Sequence, residues 1–341
     1  MRYDSVFILL PPFLALLVVL LLPPAYRQST AIPLAAWVIV VLCMDVGHVY
    51  STLFRTYFDP ERFYRQRALY IAIPLLCYAA GVVLYMIGGW VFWRVLAYVA
   101  VFHFIRQQYG FMRLYSRQER ASKSSRLIDA FCIYSATLYP LIFWHLSPDR
   151  RFSWFMEGDF LQWNSPLILR ISTGCYIAIL CAYVVKELYA VYKGKPINIP
   201  RNGIIIGTAI SWYFGIIFFN GDFAFTLLNV VSHGIPYVAL VWTTSRLGRS
   251  VDNPPNRLNR LLLRWYGACV FLSIILLAAW LEEGFWDHWV WGGEHGTVFR
   301  PFSVLPALPS EELLLWLVPL LALPQATHYV LDGFIWRRKD G

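Results

Sequence analysis

Charge is scarce in this chain. Lys, Arg, Asp and Glu make up only 14% of its 341 residues, and they fall in short clusters between long uncharged runs. No basic domain is left over, so the formal charge of +9 does not point to a nucleic-acid partner; insertion topology accounts for it. Close cysteine pairs are also missing. Cys43, Cys77, Cys132, Cys175, Cys181 and Cys269 lie singly within apolar runs, which excludes a disulfide framework and a zinc ribbon and leaves them as small core residues. There is no fixed-period repeat, no low-complexity tract and no soluble domain. The first apolar segment, Val6 to Leu22, is interrupted by Pro11 and Pro12 and lacks a basic leader and a small-residue cleavage site. It reads as a retained span, not a signal peptide.

What the chain does have is apolar surface: 58% of its residues are hydrophobic and 18% aromatic. They fall in runs of about 20, the length that crosses a bilayer as helix. The expected fold is all-α, a polytopic transmembrane helix bundle of about ten spans, near 5–25, 32–54, 68–88, 90–112, 127–147, 166–190, 203–220, 222–245, 262–281 and 312–336. Residues 1–341 then form a single integral membrane domain. Basic residues follow every even-numbered span: Arg55, Arg62, Arg65 and Arg67; Arg113, Arg117, Arg120, Lys123 and Arg126; Lys193, Lys195 and Arg201; Arg246, Arg249, Arg257 and Arg260; and Arg337, Arg338 and Lys339. The positive-inside rule puts those loops, and both termini, in the cytoplasm. Residues 282–312 agree, carrying Glu282, Glu283, Asp287, Glu294, Glu311 and Glu312 against Arg300 alone. The expected location is multi-pass in a membrane, the plasma (inner) membrane if the source is bacterial, with lipids as neighbours. Oligomeric state is not legible.

Of seven histidines, His145, His288 and His295 fall at the outer end of a span or in the outer loop, where water solvates them. The other four, His48, His103, His233 and His328, each sit in an even-numbered span. They share one direction through the bilayer and lie in the middle or inner part of the helix, so one depth is open to all four. For His103, followed by Arg106 one turn later, either the helix runs on to about Tyr115 or the residue lies shallower than His233. An ionisable residue in hydrocarbon is costly unless it faces the protein interior and finds a partner. Partners stand at helical spacing: Asp45 three before His48, Gln107 four after His103, Asn229 and Tyr237 on either side of His233, and Asp332 four after His328. A metal-bound imidazole uses such a neighbour to hold its other N–H.

Taken singly, an intramembrane histidine is more often an interhelical hydrogen-bond partner than a ligand, and Asp45 and Asp332 are equally well placed to pair with Arg55 or Arg106. Four with matched orientation favour a shared metal site. All-imidazole coordination suits iron, zinc or copper, and open positions beside histidine suit O2 chemistry at Fe(II). Two bis-histidine b-type haems also use four histidines but need the pairs separated in depth.

Several islands resemble the Brp/Blh family of membrane carotene-cleaving dioxygenases. They are Gly47-His48, Phe102-His103-Phe104, Ser232-His233 and the closing stretch from His328 through Asp332, Gly333, Phe334, Ile335 and Trp336 to Arg337. The family's late span tends to carry two histidines four apart, where this chain has Tyr237 as the second. The resemblance implies a non-haem iron oxygenase in which His48, His103, His233 and His328 hold Fe(II) and O2 reacts with a hydrophobic small-molecule or lipid substrate, a carotenoid-like polyene or an acyl lipid. Tyr237 is then a hydrogen-bond donor at the oxygen site, a fifth ligand or an interfacial aromatic, the first being preferred. The rival readings are a proton-coupled transporter, with intramembrane His and Asp as the relay and Pro236, Pro319 and Pro324 interrupting spans, and a membrane protein with a structural metal.

Overall fold

The computed structural model describes residues 2–246, 256–308 and 310–336, and regular structure among them is helix alone. Arg249, Arg337, Arg338 and Lys339, part of the expected cytoplasmic marking, lie outside the described residues. The helices are α1 (Pro11–Leu21), α2 (Leu34–Arg55), α3 (Arg67–Ile87), α4 (Gly89–Ser116), α5 (Lys123–His145), α6 (Pro166–Tyr192), α7 (Ile199–Trp212), α8 (Asp222–Arg246), α9 (Gly267–Trp289) and α10 (Glu311–Ile335). Each coincides with one of the expected spans. Seven of them, α2, α3, α5, α6, α8, α9 and α10, are long and apolar enough to cross a membrane. The other three fall short for separate reasons. α1 and α7 have 11 and 14 residues, α7 continuing as a π turn over Tyr213–Phe218. α4 has 28, but Arg94, Arg106 and Arg113 with Gln107 and Gln108 dilute its apolar character.

Local sequence explains the ends and the breaks. Proline opens α1, α6 and α7, where its missing N–H would be unpaired anyway. The Asn198 side chain accepts from the Arg201 N–H at 3.0 Å, and that of Ser122 from the Ser125 N–H at 3.2 Å, capping α7 and α5. Pro319 and Pro324 divide α10 into helical stretches Leu314–Leu321 and Leu323–Ile335. In α2 the stretch Val38–Val46 is wound as π-helix and returns to α-helix at Gly47. Such widened turns recur at functional sites, and this one ends two residues before His48.

The chain forms two compact units. The first takes residues up to Ile32 and Phe104–Pro236, the second Pro33–His103 and the chain from Tyr237 onward. In the first, a Cβ on Gly207 would lie 2.9 Å from Pro12 Cγ, so only glycine lets α7 close on α1. The loop after α5 is held by Asp159, whose Oδ2 accepts the N–H groups of Trp154, Phe155 and Met156 at 2.9, 2.7 and 3.3 Å. Burial raises the pKa of this carboxyl, and those bonds work against the shift. Arg201, expected as a loop cation, is buried. It meets Glu119 Oε2 at 2.8 Å, Glu187 Oε1 at 2.5 Å and Asp129 Oδ2 at 3.6 Å, while Lys186 pairs with Asp129 and Glu187. This network joins α5, α6, α7 and the segment after α4.

In the second unit Phe54, Tyr237, Val241, Phe271 and Ile275 form a core among α2, α8 and α9, and Tyr70, Ile73, Leu331 and Ile335 form one between α3 and α10. A Cβ on Gly284 would run into the Phe302 ring, so α9 needs glycine where the Arg300–Val304 turn crosses it.

Removing one member of a buried ion network strands the others. Arg201→Met is expected to cost about 3 kcal/mol of stability, read as a lowered Tm in detergent, whereas Met at the exposed Arg170 leaves Tm nearly unchanged.

Candidate metal centre

His48, His103 and His328 are 1%, 3% and 1% exposed, and each arrives on a different helix. His48 follows the π stretch of α2. Its Nδ1 lies 3.2 Å from the Met44 carbonyl and 3.7 Å from Asp45 Oδ1. α4 runs unbroken past Arg106 to Ser116, the first of the two alternatives for His103, which therefore sits near the middle of that helix. His103 Nδ1 faces Asp332 Oδ2 at 3.5 Å, and His328 Nδ1 lies 2.7 Å from Thr52 Oγ1. All three Nδ1 atoms are thus turned to an oxygen. On the opposite edge of two rings, His103 Nε2 and His328 Nε2 are 3.1 Å apart. The His48 and His103 rings flank that of His328 with centroids 5.0 and 4.5 Å away.

His233 on α8 is 0% exposed, with the Phe104 ring stacked on it at 3.5 Å. His48, His103 and His328 each offer one ring nitrogen, and these atoms lie within 4.8 Å of one another. Of the four histidines singled out in the sequence, these three are brought together in the second unit, and His233 belongs to the first.

Asp332 ties this group to its surroundings. Its Oδ1 accepts the Tyr237 hydroxyl at 2.8 Å and the Trp336 indole N–H at 2.5 Å, while Oδ2 faces His103. The Tyr237 hydroxyl lies 3.1 Å from Thr52 Oγ1. Arg55, the alternative partner proposed for Asp332, lies instead over the Trp336 ring at 4.1 Å. Two other expected partners are spent elsewhere. Gln107 donates to the His233 carbonyl at 3.0 Å, and Asn229 donates to the Phe225 carbonyl at 2.9 Å. Asp45 stands beside His48, although the Met44 carbonyl is nearer. Thr52 and Trp336 were not singled out. Both stand four residues from a residue that was, Thr52 after His48 and Trp336 after Asp332, so the same helical spacing pointed to them.

The donor set fits a metal ion. Nitrogens bound at about 2.1 Å sit about 3.0 to 3.4 Å apart when adjacent and about 4.2 Å apart across an ion, close to the 3.1 Å of the His103–His328 pair and within the 4.8 Å limit of the group. No thiolate or carboxylate belongs to the group. Two imidazole nitrogens at 3.1 Å can share at most one hydrogen, and a cation relieves the contact between their lone pairs. Compared with protein-family models, with curated proteins and with solved structures, the chain matches none.

The Asp332 contacts lead to an expected outcome. Asp332→Asn keeps the shape but turns one oxygen into a donor, leaving the His103 N–H, the Tyr237 hydroxyl and the Trp336 indole a single acceptor to share. Affinity for Fe(II) or Zn(II), measured by competition with a chromophoric chelator, should fall about 10- to 100-fold.

Proposed function

We propose that this chain is a multi-pass membrane non-haem iron oxygenase acting on a lipid-soluble substrate, either a polyene of the carotenoid kind or an acyl lipid. In this reading it crosses the bilayer about ten times with both termini in the cytoplasm. The observation that carries it is the buried group of His48, His103 and His328, with ring nitrogens within 4.8 Å of one another. Interhelical packing does not require three imidazoles to turn their outer nitrogens to oxygen atoms, as these do.

Several features favour iron and O2 over the other uses of such a site. Two bis-histidine haems keep their ligand pairs apart, whereas the nitrogens of His48, His103 and His328 are mutually close. Neutral imidazoles leave a divalent ion with its full charge and room for further ligands, which suits O2 chemistry at Fe(II). Zinc and copper accept the same donors. Iron, when bound, supplies the redox chemistry that activates O2. The protein's own residues hold and orient. His48, His103, His233 and His328 would bind the ion through one nitrogen each, and Asp332 keeps the His103 ring in register. Tyr237, whose hydroxyl is 2.8 Å from Asp332 Oδ1 and 3.1 Å from Thr52 Oγ1, positions these groups; its hydrogen is committed to the carboxylate. Tyr329, with its ring 5.2 Å from His103, and Phe104 furnish aromatic surface of the kind that receives a polyene or acyl chain. The order of motifs shared with the Brp/Blh family supports the same reaction class.

Iron content of the detergent-purified protein tests this reading. One ion per chain, lost in His48→Ala and His328→Ala, with O2 uptake on addition of a polyene or an unsaturated lipid, is the expected result. Protein that takes up no iron and still moves protons or solute across vesicles would sink it in favour of a transporter. Bound iron without O2 uptake across such lipids would point to a structural metal.

A further inference from the structure

We propose that Thr52 is a positioning residue that sets the tautomer of His328, and that with Tyr237 it places His328 and His103 under the control of one carboxylate, Asp332. The inference rests on the metal-centre reading for its purpose, but not for its geometry.

The argument follows the hydrogens. Ionised Asp332 only accepts, so at 2.8 Å the Tyr237 hydroxyl must donate to Oδ1. That spends Tyr237's single hydrogen. With a hydrogen in each contact of the chain, the 3.1 Å contact between Thr52 Oγ1 and the Tyr237 oxygen takes its hydrogen from Thr52, whose single hydrogen is then spent in turn. Across the 2.7 Å contact to His328 Nδ1 Thr52 has nothing left to give, so Nδ1 carries the hydrogen. His328 is then the Nδ1–H tautomer, with a bare lone pair on Nε2. His103 Nδ1 faces Asp332 Oδ2 at 3.5 Å, the side on which a carboxylate favours an N–H. The Nε2 atoms of His328 and His103 confront each other at 3.1 Å, an arrangement that repels where both present lone pairs and ligates when a cation sits against it.

The local backbone shows why Thr52 is available for this. A threonine inside a helix usually turns its hydroxyl back to the carbonyl four residues earlier. Thr56, Thr173, Thr208, Thr243 and Thr244 all do so, at 2.7 to 2.9 Å. For Thr52 that carbonyl belongs to His48, and the Ser51 hydroxyl already donates to it at 2.6 Å. Thr52 begins a 3-10 turn, Thr52–Arg55, is 4% exposed, and its hydroxyl reaches sideways to α8 and α10. Its placement on α2 also links two ligands, since the helix that carries His48 orients His328.

The test compares the wild type with Thr52→Val, which keeps the shape and loses the hydroxyl, and Thr52→Ser, which restores it. The first readout is the tautomer of His328 in metal-free protein, from 15N NMR of labelled histidine with His328→Gln to assign the signal. The second is Fe(II) affinity. We expect the Nδ1–H form in wild type and Thr52→Ser, a mixed or Nε2–H form in Thr52→Val, and about 10- to 100-fold weaker Fe(II) binding in the valine variant only. If His328 is the Nε2–H tautomer in wild type, or if Thr52→Val changes neither its tautomer nor Fe(II) affinity, the proposal is overturned. The wild-type tautomer decides this even if the valine variant does not fold. If wild type binds no metal while the valine variant still shifts the tautomer, the oxygenase reading falls and the role of Thr52 stands.

Discussion

A carboxylate in hydrocarbon has no water to accept from, so the protein must supply donors, and those donors are then oriented by it. Asp332 is in that position. Tyr237 and Trp336 donate to one oxygen and His103 faces the other, while Thr52 extends the chain of contacts to His328. Four helices, α2, α4, α8 and α10, place side chains on this network. A change in any of them is therefore felt at the imidazoles.

Elsewhere the same constraint is met by charge pairing. Arg201, Lys186, Asp129, Glu187 and Glu119 neutralise one another among α5, α6, α7 and the segment after α4. Ion pairs of this kind hold helices in one arrangement but offer no open coordination position. The histidine group differs in kind: His48, His103 and His328 turn their outer nitrogens to oxygen atoms, and the Nε2 atoms of two of them face each other.

The protein's means of placing His48 is a distortion of the helix that carries it. Nine residues of π-helix, Val38–Val46, precede it, and each π turn rotates the following residues relative to a regular α-helix. The angular position of His48 on α2 is consequently not the one a 3.6-residue period assigns. His328 likewise follows a break, at Ala322, where Pro319 and Pro324 divide α10. Irregular backbone beside the site, with regular helix beyond it, is the pattern expected where geometry serves ligands instead of packing.

Much of this was legible in the residues. Runs of apolar residues located the seven helices long and apolar enough to cross a membrane, because backbone groups in lipid have only the helix to satisfy them, and helical spacing named the four histidines, Asp332 and Tyr237. For α4 the residues left two alternatives, and the helix runs on through Arg106 to Ser116. Other features depended on which neighbour was closer. Gln107 and Asn229 stand at the right spacing yet bond to backbone carbonyls, Arg201 reads as a loop cation yet is buried among acids, and Thr52 touches His328 although only its place four residues after His48 sets it apart from other helical threonines in the sequence. The division has a physical cause. Periodicity along one helix determines which residues share a face, and the sequence alone carries that. Which face meets which is set by helix packing, by the π stretch of α2 and by the proline breaks of α10. Only the folded chain decides whose hydrogen goes to whose oxygen.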